Sequence, residues 1–208
     1  MLTKLIKRLT AVVGGGLMVL GLGSGGAFAK TDLLVYTAIE ADELSMFKKE
    51  FEKDYPDINV KWVRDSTGIV TSKLLAEKDN PRADIVWGLA ATSLVLLGNE
   101  GYFQGYAPKG LKNIEKKYYD NKNNPPQWVG QRAWIASICY NTVEAGKYKL
   151  PLPTSWADLT KPVYKGHVIM PNPNSSGTGF LDVSSWIQMQ GEKKAWAFMD
   201  GLHQNIAR

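Results

Sequence analysis

Three hydroxyls and two glycines crowd into the nine residues Asn172-Pro173-Asn174-Ser175-Ser176-Gly177-Thr178-Gly179-Phe180. Ser175, Ser176 and Thr178 supply hydrogen-bond donors, and Gly177 and Gly179 let a ligand approach the backbone. The apolar run His167-Val168-Ile169-Met170 before them reads as a buried strand, and Leu181, Val183, Trp186, Ile187 and Gln190 suit a helix over 180–190. A loop between a strand and a helix start presents the unpaired N–H groups of the first turn and the positive end of the helix dipole, which together suit a small oxyanion. The same residues would also make a helix cap flanked by turn glycines, but a cap needs one hydroxyl and three are present.

A smaller version of the motif, Asp65-Ser66-Thr67-Gly68, precedes a helix expected from about Ile69 to Lys78. The elements that must position it alternate. Leu33-Leu34-Val35-Tyr36 is a continuous apolar strand, and Leu44, Phe47 and Phe51 mark one face of a helix over 42–55, with Asp42 and Glu43 in its first turn. Ile58 to Val63 alternates as a second strand and Ala83 to Trp87 forms a third, followed by a helix over 93–100 that Gly101 stops. Strand and helix in turn imply an α/β fold with a mainly parallel sheet.

Ligands of such sheets sit beyond the carboxyl ends of the strands. That rule puts Thr37, Ala38 and Glu40 after the first strand, Ser66, Thr67 and Gly68 after the second, and Trp87 and Gly88 after the third, along one rim. Each has a bland alternative: Glu40 as solvated surface, Ser66 or Thr67 as a cap, Trp87 as core.

The first residues set the compartment. Lys4, Lys7 and Arg8, the apolar stretch Leu9 to Leu22 and Ala27-Phe28-Ala29 fit a cleavable secretory signal peptide over 1–29, and export to the periplasm. Its removal takes three of the 25 basic residues and none of the 20 acidic ones, leaving 22 against 20, so a nucleic-acid partner loses its electrostatic support. One cysteine, Cys139, excludes an intramolecular disulfide, and its setting Trp134 to Tyr140 reads as a buried strand with an inert core thiol.

From Tyr102 to Gln127 the chain is irregular, with a surface loop at 121–126, and Val129 to Tyr140 has an extended pattern suited to crossing between lobes. A second unit follows: a short helix near 155–159, the opening strand, loop and helix, and an amphipathic helix over 192–204. We divide the chain into residues 1–29, a first α/β lobe over 30–135, and a crossover with the start of a second α/β lobe over 136–208, which we expect to be incomplete.

Thr154 to Leu159, Tyr164 to Pro173 and Ser175 to Phe180 resemble the periplasmic solute-binding proteins of bacterial ABC importers, type 2 fold. Among these the chain is most similar to the group assigned to 2-aminoethylphosphonate, which is related to ferric-iron and hexose-phosphate binders. The resemblance runs from Leu33 through Arg208. It implies two α/β lobes with a hinge, ligand held in the cleft between them, transient docking to an inner-membrane ABC permease, no cofactor, and a monomer. The residues matching the ligand loops are Thr37, Ala38, Ser66 to Gly68, Trp87, Gly88 and Ser175, Ser176, Gly177, Thr178. A phosphonate fits these hydroxyls and N–H groups, and Glu40 or Trp87 is the candidate for a ligand ammonium.

Ferric iron is the main rival ligand. The adjacent pair Tyr118-Tyr119 has the phenolates it would need, away from the position the resemblance implies, while His167 and His203 lack metal-ligand spacing. Catalysis by Cys139 or Ser176 has no G-x-S-x-G elbow or adjacent base behind it, and we expect no enzyme.

Overall fold

The computed structural model describes residues 29–207, so all but the last residue of the expected signal peptide lies outside the described residues. Three parallel strands, β1 (Thr31–Thr37), β2 (Ile58–Arg64) and β3 (Ile85–Trp87), form a sheet in the order β2-β1-β3. Thr37 lies opposite both Arg64 and Trp87, so the three carboxyl ends finish level and their loops share one rim.

Helix α1 (Ala41–Asp54) keeps Asp42 and Glu43 in its first turn and packs Phe47 edge-on against Trp87, with ring centroids 4.7 Å apart. Helices α2 (Thr67–Ala76) and α3 (Ala91–Asn99) send Val70, Leu74 and Leu97 into a buried cluster with Tyr36 and Leu89. Both start two residues earlier than expected, turning Thr67, Gly68, Ala91 and Thr92 from loop into first helical turn.

Between the two halves, Asp120 organises the expected loop. Its carboxylate accepts the N–H groups of Lys122 and Gln127 at 2.9 and 3.0 Å and the Asn123 amide at 2.8 Å. Arg132 then forks onto Glu43 of α1 at 2.6 and 3.1 Å, tying the crossing segment to the first half, and Ile138 packs into the second.

The second half has its own core. Helices α5 (Gly177–Gln190) and α6 (Glu192–His203) follow the short α4 (Thr142–Tyr148) and bury Trp186, Ala195 and Leu202 with Leu159. Trp186 is wedged between Trp156 and Phe198, with ring centroids at 5.4 and 4.9 Å. Residues 155–159 open with the cap they predict: Ser155 and Asp158 form a reciprocal capping box at the head of a 3-10 turn.

Two expectations for this half fail. Residues 167–170 do not form a buried strand: Val168 makes an isolated bridge to Ile206, and Ile169 is 66% exposed. Residues 134–140 have no strand partner among the described residues either; Ile135 is 84% exposed, and Cys139 is exposed rather than an inert core thiol. An apolar run supplies the side chains for a buried strand, but burial needs neighbouring strands, and none flanks these two segments.

Candidate functional site

Helix α2 starts where β2 ends. Ser66 is its N-cap, held by the Asp65 carboxylate, which accepts the Ser66 N–H at 2.7 Å, while the Ser66 hydroxyl makes no cap bond. Helix α5 starts after an Asn172 turn, in which Asn172 accepts the N–H of Asn174 through its side chain and those of Ser175 and Ser176 through its carbonyl. Its N-cap is Ser176, whose hydroxyl accepts the Gly179 N–H at 3.4 Å. The bland reading of Ser176 is therefore partly right: it caps, over a long bond.

The two helix starts meet. Gly68 N–H donates to the Ser175 carbonyl at 2.9 Å, joining the halves. A Cβ on Gly68 would fall 2.7 Å from the carbonyl oxygens of Asn174 and Ser175, and one on Gly177 would fall 2.9 Å from Thr67 Oγ1 and 3.6 Å from Ala90 Cβ. At Gly68 backbone faces backbone, and at Gly177 the backbone lies against the Thr67 and Ala90 side chains, so both places favour glycine. Ala90 is the N-cap of α3, so Gly177 brings the starts of α2, α3 and α5 together.

Among the described residues, the first-turn N–H groups of Thr67 and Ile69 in α2, Ala91 and Thr92 in α3, and Gly177 and Thr178 in α5 find no acceptor. Three dipole ends with six open donors make an electropositive corner, offset in part at the α2 start by the Asp65 carboxylate. Chemically, it can hold a multivalent oxyanion.

The other predicted site residues sort differently. Thr37 is fully buried, its hydroxyl accepting the Ile39 N–H at 3.0 Å, so it shapes the turn after β1 instead of facing the cleft. Ala38 packs on the first core. Gly88, at φ +72°, lets Ile39 lie against its Cα, closing the rim between β1 and β3. Glu40 is paired with Arg64 at 2.9 Å, which in turn donates to the Ile39 carbonyl, so its charge is already met. The half-buried Trp87 ring is engaged on the α1 side, against Phe47 and stacked on Trp62 at 5.6 Å. Tyr118 and Tyr119 lie in the irregular middle, Tyr118 under the Lys117 ammonium at 4.8 Å and Tyr119 bridged to Val129.

Two functional candidates escape sequence reasoning. The α3 start carries no Ser or Asn cap and so no local signal. Asp182 stands on the inward face of α5, one turn before Trp186 and one after Thr178, buried to 7% exposure. A carboxylate at four-residue spacing from a core tryptophan was the available signal. Burial pushes its pKa up. It lines a cavity of about 450 Å³ bounded by residues 136–141, 166–171 and α5, with Thr178 at its edge.

A family model for bacterial extracellular solute-binding proteins matches residues 80–208, more than half of the chain. An uncharacterized protein of Haemophilus influenzae is 29% identical over 201 residues, covering 96% of this chain and 57% of its own. A probable ABC transporter periplasmic-binding protein of Sinorhizobium fredii is 29% identical over 153 residues, 69% of this chain and 40% of its own. The solved structure of the periplasmic binding protein AfuA from Actinobacillus pleuropneumoniae, with exogenous fructose-6-phosphate bound, matches at 28% identity and a TM-score of 0.73, covering 86% of this chain and 57% of AfuA. The chain thus spans no more than 57% of the length of these relatives.

Proposed function

Because this chain belongs to the bacterial extracellular solute-binding proteins and has the α/β fold of periplasmic binding proteins, we propose that it is the substrate-capturing component of an ABC importer. In this reading it is exported by its signal peptide, binds a small phosphonate in the cleft between lobes 30–135 and 136–208, and hands it to a membrane permease. It works as a monomer, without cofactor or catalysis.

One observation carries the reading: the starts of α2, α3 and α5 converge with six unpaired N–H groups and the hydroxyls of Ser66, Thr67 and Thr178 beside them. A phosphonate or phosphate head brings three oxygens and one to two negative charges, which need several donors and no counter-charge held so tightly that release fails. The three helices come from both cores, so an anion seated there draws the halves together. The Gly68–Ser175 bond would then act as a latch at the edge of the site.

A phosphate ester is the second reading, favoured by the fructose-6-phosphate bound to AfuA. It uses the same anion site. Isothermal titration calorimetry of the full-length protein with 2-aminoethylphosphonate, inorganic phosphate, fructose-6-phosphate and ferric citrate tests both. We expect 2-aminoethylphosphonate to bind most tightly. Preference for fructose-6-phosphate would move the assignment to the ester, and binding of ferric citrate alone would overturn the anion site.

A further inference from the structure

We propose that Asp182 receives an ammonium group of the bound compound, which makes the ligand a zwitterion whose amine enters the cavity beside α5. The proposal rests on the oxyanion reading above and specifies what else the ligand carries.

Asp182 is buried to 7% exposure, and among the described residues its carboxylate accepts no hydrogen bond and joins no ion pair. Its oxygens are not sealed in the protein but open onto the cavity, where a cationic group could reach them and relieve the cost of burying the charge. Two hydroxyls on the cavity wall that could have met it point elsewhere. Tyr140 Oη donates to the Leu150 carbonyl at 2.7 Å and Tyr164 Oη to the Pro151 carbonyl at 2.8 Å. His167 is stacked on Tyr148, with ring centroids at 4.6 Å.

The acids around the anion site are exposed, and two of the three are paired with a base. Glu40 holds Arg64, Asp65 holds the Ser66 N–H, and on the cavity wall Glu144 holds Lys147 at 2.6 Å. Among the described residues Asp182 is the buried carboxylate that no protein donor meets, and it is open to a cation from the cavity side. Its place on the helix gives the reach: it lies four residues beyond Thr178, about 6 Å along the axis from the first-turn donors. That distance suits an anion and an ammonium separated by a short alkyl chain. Burial alone raises the Asp182 pKa, and an ammonium at that position would reverse the shift.

The test is a ratio of affinities measured on the full-length protein with two probes that share the anion, 2-aminoethylphosphonate and ethylphosphonate. The wild type should prefer the amine at least tenfold, and this arm needs no substitution. In Asp182→Asn the preference should collapse to near unity, with the fold checked by circular dichroism. A wild type with no preference between the probes overturns the proposal while leaving the anion site standing. So does a variant that keeps the tenfold preference. If neither probe nor inorganic phosphate binds, the oxyanion reading falls and this inference with it.

Discussion

The two serines that cap the converging helices do different work. Ser176 spends its hydroxyl on the Gly179 N–H, whereas the Ser66 hydroxyl has no cap bond to make. Ser66→Ala should therefore weaken anion binding about tenfold, through a lost charge-assisted hydrogen bond, and leave the thermal midpoint of the free protein unchanged. Ser176→Ala should lower both affinity and midpoint, the latter by the roughly 1 kcal/mol typical of a lost cap. Calorimetry and melting of both variants would separate the roles; equal midpoints would show that the 3.4 Å cap bond contributes nothing. Asp182 adds a pH effect. Its pKa is raised in the folded state, so between the ordinary carboxylate value and the raised one the folded chain binds the extra proton, and stability falls as pH rises through that window. Asp182→Asn should remove this slope and raise the stability of the ligand-free protein near neutral pH by about 1 kcal/mol. A melting curve across pH 4 to 8 that keeps its slope in the variant would show that another group is responsible. The hydroxyl clusters at 66–67 and 175–178 were legible as helix starts, because Ser, Thr and Gly before an apolar periodic run favour caps and first turns. The fates of Glu40 and Asp182 were not. Arg64 meets Glu40 only through the parallel register that sets it beside Thr37, and the vacancy of Asp182 depends on which tyrosine hydroxyls point elsewhere.

At the scale of elements, the sequence pattern predicts each helix longer than eight residues among the described residues but starts those at the site two or three residues too late. Hydrophobic periodicity begins with the first buried side chain, while the helix begins with the first turned backbone, and in α2 and α5 the intervening residues are Thr and Gly. Those residues bring the elements into contact. Adding a methyl at Gly68 would drive a Cβ into two carbonyl oxygens of the facing loop, and backbone on backbone has no flexible side chain to yield. Gly68→Ala should therefore push the α2 and α5 starts apart, costing tenfold or more in affinity for the phosphonate. The free protein should melt within about 1 kcal/mol of the wild type, since neither core is touched. Calorimetric titration beside a melt would check this; wild-type affinity would mean that closure does not need the contact. Within the second half, Asn205 has the opposite character. Its buried side-chain amide donates to the carbonyls of Leu159 and Lys161 at 2.7 and 2.8 Å, and its own carbonyl accepts from Gly166 and Val168. Asn205→Ala leaves two carbonyls short and should destabilise this half by about 2 kcal/mol, read as a lower midpoint in thermal unfolding.

At the largest scale, the described residues form two cores joined at few points. One gathers around Tyr36, Val70 and Leu97, the other around Trp186, Ala195 and Leu202. Between them run the segment that Arg132 ties to Glu43, the Gly68–Ser175 bond and the apposition of Thr67 with Gly177. Exposed polar contacts of this kind contribute little each, so the cores should unfold nearly independently in the absence of ligand. In the proposed reading an oxyanion held by α2, α3 and α5 would change that, because its donors belong to both cores and it would bind only when both are folded. Ligand at about 100 times its dissociation constant adds roughly 2.7 kcal/mol to that joint state. Differential scanning calorimetry of the full-length protein should show two transitions without ligand, merging into one at higher temperature as 2-aminoethylphosphonate or phosphate saturates the site. Two transitions that both stay in place would mean that the ligand does not bridge the halves. A rise confined to one transition would place the whole anion site on a single core and remove the reason for the helix starts to meet.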